Sequence, residues 1–138
     1  YHFAAGITER LRDGNDVTAY VCGDLVTLAL ELHARLTEQG IGLQVVNVST
    51  LKPLPPEEIL RHGRHTRAAI TIEDHSIIGG LGSAVAEIYA EGLPRPLRRI
   101  GIRDVFTESD DRPVLLQAYG VSLEHAETTV RDLLAGMV

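Results

Sequence analysis

One stretch of this chain gathers most of the side chains able to do chemistry: Glu73-Asp74-His75-Ser76, then, after Ile77-Ile78, Gly79, Gly80, Gly82 and Ser83. A histidine between carboxylates and a serine has the residue types of a general base or a triad. No Gly-x-Ser-x-Gly is present, however, to set a nucleophile on a strained elbow. His75 therefore reads as a structural or interface histidine ahead of a catalytic one, and no residue is assigned a catalytic role. A glycine-rich turn running into a helix start exposes unpaired N–H groups that can hold an anion. The dinucleotide spacing Gly-x-Gly-x-x-Gly fails, because Val85 stands where the third glycine belongs, and no phosphate-loop Gly-Lys-Ser/Thr follows. The glycines read first as a tight turn with close helix–sheet packing. Glu73, Asp74, His75, Ser76, Gly79, Gly80, Gly82 and Ser83 together form a candidate anion or docking site.

The other candidates are weaker. His62 and His65 lie three apart, a spacing that can seat a metal on a helix, but no third ligand accompanies them and a solvated face is the plainer reading. No metal site is expected. Arg95, Arg98, Arg99 and Arg103 form a local basic stretch, which reads as solvated or paired. The single cysteine, Cys22, sits in an apolar run and reads as a small buried hydrophobe. It cannot form an internal disulfide, which fits a reducing, cytoplasmic compartment.

These residues need elements to position them. Gly6–Arg12 has the alternation of a short strand, Asp13-Gly14 is a turn signal, and Val17–Cys22 reads as a buried strand, so the two are expected to form a hairpin. Asp24 is placed to cap the following helix, in which Leu25, Leu28, Ala29, Leu32 and Leu36 share one face and which Gly40 ends. Leu43–Val48 is the next strand, and Pro56-Glu57-Glu58 opens a short helix. Ala68–Glu73 is a core strand, Asp74–Gly79 a loop, and Gly80–Glu91 a helix burying Leu81, Ala84, Val85 and Ile88. Leu97–Ile102 is a further strand, with a short helix around Leu115–Ala118. Ser122 caps a last helix with Ala126, Val130, Leu133, Leu134 and Met137 inward.

Strands alternating with amphipathic helices imply an α/β fold, a three-layer sandwich around a mostly parallel sheet. At 138 residues and 44% hydrophobic, the chain fits one domain over 1–138 with one continuous core. It opens on Tyr1, as a piece of something longer would. A net charge of −6, dispersed along the chain, argues against nucleic-acid binding, and no apolar run suits a membrane span or signal peptide.

At the Glu73–Glu87 run, Glu-Asp-His-Ser-Ile-Ile-Gly-Gly-Leu-Gly-Ser-Ala-Val-Ala-Glu, the sequence resembles the transketolase C-terminal domain of transketolases and 1-deoxyxylulose-5-phosphate synthases. Asp16-Val17-Thr18 through Gly23, Val46–Leu54, Gly101–Ser109 and Leu115–Val121 are similar to the same family, in the same order. Asp110 departs from it, standing where the family usually has glycine. The resemblance implies a five-stranded mixed sheet with one antiparallel edge strand. It also implies a homodimeric enzyme in which thiamine diphosphate and magnesium are held by other domains or a partner subunit. The cofactor motif Gly-Asp-Gly…Asn is missing here. The expectation is a C-terminal domain that binds no cofactor, is inactive alone, and serves assembly and dimerisation in ketol transfer between sugar phosphates. A 1-deoxyxylulose-5-phosphate synthase, a 2-oxoacid dehydrogenase β subunit, or a stand-alone interaction module of the same fold are the alternatives.

Overall fold

A computed structural model describes residues 4–106 and 108–137. The chain runs β1 (Glu9–Arg12), β2 (Val17–Val21), a 3₁₀ turn (Gly23–Leu25), α1 (Val26–Glu38), β3 (Leu43–Asn47), α2 (Pro56–Gly63) and β4 (Ala68–Ser76). It continues with α3 (Leu81–Gly92), β5 (Leu97–Ile102), α4 (Arg112–Ala118) and α5 (Leu123–Ala135). The strands form one five-stranded sheet in the order β1-β3-β2-β4-β5. Only β1 is antiparallel, and it pairs with β3. The expected α/β architecture is present.

Period-two alternation sends each strand's side chains to two different layers. On one face Val17, Ala19 and Val21 of β2, Leu43 and Val45 of β3, and Ala68, Ile70 and Ile72 of β4 pack with α1 and α5. Ala29, Leu32 and Leu36 answer from α1, and Ala126, Val130 and Leu133 from α5. On the other face Tyr20, Val46 and Ala69 meet Ile59 of α2 and Leu81, Val85 and Tyr89 of α3. That second layer also buries polar groups, several of them hydrogen-bonded to one another. The Tyr20 hydroxyl donates to the Ile59 carbonyl at 2.7 Å and lies 3.1 Å from that of Tyr89. Gln44 Nε2 donates to Thr18 Oγ1 at 2.8 Å and to the His62 carbonyl at 3.1 Å.

The expected hairpin does not form. A two-residue hairpin of the favoured kind needs positive φ in its turn, and Gly14 does not have it. Instead, the Asp13–Asp16 turn lies across the start of β3. Asp16 Oδ2 accepts from the Gly42 amide at 2.8 Å, and a Cβ on Gly14 would run into the Leu43 and Gln44 backbone. The β2–α1–β3 crossover puts β3 beside β2, and β1 is left to pair on the outer side of β3.

Other expectations shift locally. Asp24 does not cap α1; its carboxylate faces Arg112 instead. Leu28, Ala84, Ile88 and Leu134 are half-buried, Met137 is exposed, and Tyr89 takes the inward place on α3. Cys22 is half-buried, not enclosed, and burial with nearby Glu73 pushes its thiol up to about 11. Ser122 caps α5 as expected, accepting from the His125 amide at 3.2 Å.

His62 is the largest departure. It is buried under the loop before β1, with Nε2 3.0 Å from Thr8 Oγ1, and not on a solvated face. His65 lies beyond the end of α2 and is exposed. Burial, followed by the charges of Arg61 and Arg10, pushes the His62 imidazole down to about 4. A folded-state pKa below the unfolded value of 6.5 means that this group's stabilisation is present above pH 6.5 and is lost as pH falls toward 4. A shift of that size is on the order of 3 kcal/mol. Denaturant melts between about pH 7 and pH 5 are therefore expected to show stability falling with pH. His62→Gln, which retains a partner for Thr8, is expected to flatten that slope. An equally steep slope in the variant would refute the assignment.

Candidate functional site

The carboxyl ends of β2, β4 and β5 bring together the polar residues singled out in the sequence. β4 runs on through Asp74 and His75 to Ser76, past the expected strand end, because Ser76 pairs with Ile102 and the Ile77 amide donates to the Ile102 carbonyl at 2.9 Å. The β4–β5 register shifts between Ile72 and Ser76. Glu73 sits inside this irregular stretch with 0% exposure.

Glu73 faces the start of α3. Its Oε1 accepts from the Gly82 amide at 2.9 Å, in the first helical turn, where the backbone leaves donors unpaired and the dipole favours negative charge. Its Oε2 lies 2.6 Å from His75 Nε2 but off the line of a hydrogen bond, so this oxygen has no aligned donor. Three glycines vacate the space around the carboxylate. A Cβ on Gly80 would collide with Glu73 Oε2 and the His75 ring. One on Gly82 would stand 2.6 Å from Glu73 Oε1, 2.7 Å from Arg99 Cδ and 2.8 Å from Thr71 Oγ1. One on Gly101 would stand 2.8 Å from Glu73 Cγ. The glycines are a socket for a side chain of this same chain.

Further groups of the turn are met by side chains of this same chain. Ser83 Oγ accepts from the Gly79 amide at 2.9 Å and donates to the Ile77 carbonyl at 2.9 Å, where Arg99 Nη1 also donates at 2.9 Å. Ser76 Oγ accepts from the Ile78 amide at 3.2 Å. Gly79 has φ +77°, a backbone conformation that favours glycine. An external anion at this helix start would meet the charge of Glu73 and find the Ile78, Gly79 and Gly82 amides engaged. Neither Ser76 nor Ser83 hydrogen-bonds His75 among the described residues.

Asp74 belongs to a separate, outer arrangement. Arg112 of α4 donates to its Oδ2 from Nε at 2.8 Å and from Nη2 at 2.5 Å, and Nη2 lies 2.7 Å from Asp24 Oδ2. These partners hold the guanidinium pKa above its ordinary value. Arg99, Gly101 and Arg112 were not among the sequence candidates for the site. The nearest signals were the basic run containing Arg99 and the similarity of the Gly101 segment to its family; nothing local marks Arg112. Among the described residues no group of three or more His, Cys, Asp or Glu side chains is placed to hold a metal ion.

A parallel α/β sheet whose fourth strand turns through glycines into a helix capped by a buried glutamate defines a class of domain, and the comparisons place the chain within it. Residues 6–126 match the family model described as transketolase, C-terminal domain, and the chain belongs to that family. It is 44% identical over 120 residues to the 6-deoxy-6-sulfo-D-fructose transketolase subunit of Clostridium sp. strain MSTE9, covering 87% of this chain and 37% of that one. It is 37% identical over 129 residues to the 1-deoxy-D-xylulose-5-phosphate synthase of Heliobacterium modesticaldum, covering 93% of this chain and 20% of that one. A solved split-gene transketolase, described as an inactive β4 tetramer, superposes with a TM-score of 0.92 at 38% identity, covering 98% of this chain and 44% of that one. The chain thus spans less than half the length of each of these relatives.

The socket carries a direct test. Glu73→Gln keeps an oxygen for the Gly82 amide and is expected to melt close to the wild type. Glu73→Ala leaves that amide and a cavity unfilled, and is expected to cost about 2–4 kcal/mol in denaturant melts. Gly82→Ala, which forces a methyl group against the carboxylate, is expected to cost a comparable amount. Equal melts for all three variants would show that the carboxylate does not organise the turn.

Proposed function

We propose that residues 1–138 form a single domain that completes a thiamine-diphosphate-dependent transketolase, one that transfers a ketol unit between sugar phosphates. The carrying observation is the 0.92 TM-score to a split-gene transketolase, together with 44% identity to a transketolase subunit. The match to a synthase of 1-deoxyxylulose 5-phosphate covers 93% of this chain, at lower identity, and that synthase is the second reading. The domain's task in either enzyme is assembly: it packs on the cofactor-binding domains or subunit and supports a homodimer.

The residues present do not fit a thiamine diphosphate–magnesium site. A diphosphate calls for free backbone donors or cations, and a magnesium ion calls for free oxygen ligands. Here Glu73 fills the glycine-rich helix start, and Asp24 and Asp74 are both tied to Arg112. The chemistry of the cofactor is accordingly assigned to the partner domains, and no step of it is assigned to this chain.

A docking role is supported by what the same end of the sheet exposes. Ile78 after β4, Val105 and Phe106 after β5, and Val114 on α4 are all exposed, and His75 at the end of β4 is half-exposed. Large apolar side chains left in water mark surfaces that meet a partner. In this reading Ser76, Gly79 and the rest of the Glu73–Ser83 stretch serve docking through the shape of the turn. No helix among the described residues is long and apolar enough to cross a membrane, and a cytoplasmic setting is proposed from the lone thiol.

Saturating thiamine diphosphate with magnesium is expected to leave the melting temperature of this chain unchanged. A ligand at about a hundred times its Kd contributes roughly 2.7 kcal/mol, which is several degrees for a domain of this size. A rise of that order would place the cofactor on this chain and overturn the division of labour.

A further inference from the structure

The adjacent strands β2 and β4 send the chain to opposite faces of the sheet. β2 leads into α1, which packs with α5 on one face, whereas β4 leads into α3, which packs with α2 on the other. The carboxyl ends of such a strand pair form a topological switch point, where open α/β sheets leave a crevice that commonly takes a ligand. Here Arg112 reaches across that crevice, donating to Asp74 at the end of β4 and pairing with Asp24 just after β2.

Apart from Arg112, the helix that supplies it holds to the domain chiefly through Leu116, which packs half-buried against the core. None of the residues of α4 is buried; Leu115 and Leu116 are half-buried and Val114 is exposed. Beneath α4 lies a cleft of about 180 Å³, lined by Asp74, Ile102, Arg112, Leu115, Leu116 and Tyr119, so the helix roofs a space and does not fill one. By contrast α5, directly after it, buries Ala126, Val130 and Leu133. The latch is also open to solvent: the side chains of Arg112 and Asp24 are 50% and 68% exposed. Ions screen such pairs.

We propose that α4 is a strap over the switch-point crevice, latched by Arg112 on Asp24 and Asp74, which opens independently of the rest of the domain and gates access to the cleft beneath it. The inference rests on the geometry of this chain and stands whichever enzyme the domain completes.

Amide hydrogen exchange on the 138-residue chain tests it. The Leu115 and Tyr119 amides, which donate to the Asp111 and Leu115 carbonyls, report on α4; the Ala84 and Ala126 amides report on α3 and α5. In the wild type the α4 amides are expected to exchange at least about tenfold faster than the α3 and α5 amides. Arg112→Gln is expected to speed α4 by a further factor of about three to ten, with α3 and α5 unchanged. Raising the salt concentration on the wild type, which requires no substitution, is expected to act in the same direction. Exchange of α4 in step with α5, or an Arg112→Gln effect spread evenly over the chain, would overturn the proposal. So would α4 rates that respond to neither the substitution nor salt.

Discussion

The contact on which this domain depends is a carboxylate against a helix start. Glu73 ends the regular part of β4 fully buried, and its Oε1 takes the Gly82 amide in the first turn of α3. Burying a carboxylate is costly unless donors meet it. The glycines at 80, 82 and 101 allow the helix and β5 to come close enough to meet it. Once the strand end and helix start are tied, the turn between them has little freedom. Ser83, Ser76 and Arg99 then take the Gly79 and Ile78 amides and the Ile77 carbonyl.

That tie fixes what the carboxyl end of the sheet can offer. The helix N-terminus, which in other α/β proteins receives phosphate, is supplied from within. The acids Asp24 and Asp74 are held by an arginine. What faces solvent is a shaped turn with apolar side chains around it, suited to meeting another protein surface. An edge spent on its own hydrogen bonds is consistent with a domain that completes an enzyme whose cofactor lies elsewhere.

Much of this was legible in the sequence, because it rests on local rules. Alternating strands and amphipathic helices gave the layer order, Pro56 and Ser122 marked helix starts, and Gly40 and Gly120, both at positive φ, mark the ends of α1 and α4. What failed depended on distant partners. The Asp13-Gly14 turn looks like a hairpin until β3 arrives beside β2 and takes the pairing. Asp24 looks like a cap until Arg112, far along the chain, takes its carboxylate. His62 looks solvated until Thr8, from the loop before β1, covers it. In the candidate site the residue types were visible and their roles were not. The glycines read as room for a ligand or a turn, and only the position of Glu73 shows which side chain fills the room.

The central claim is that this chain completes an enzyme whose chemistry sits elsewhere. It is tested most directly by a ketol-transfer assay on purified proteins, with thiamine diphosphate, magnesium and sugar phosphates supplied. The account predicts no turnover by this chain alone, and turnover when it is combined with the polypeptide bearing the cofactor-binding domains, beyond what that polypeptide achieves by itself. Turnover by this chain alone, or a partner polypeptide equally active without it, would contradict the account.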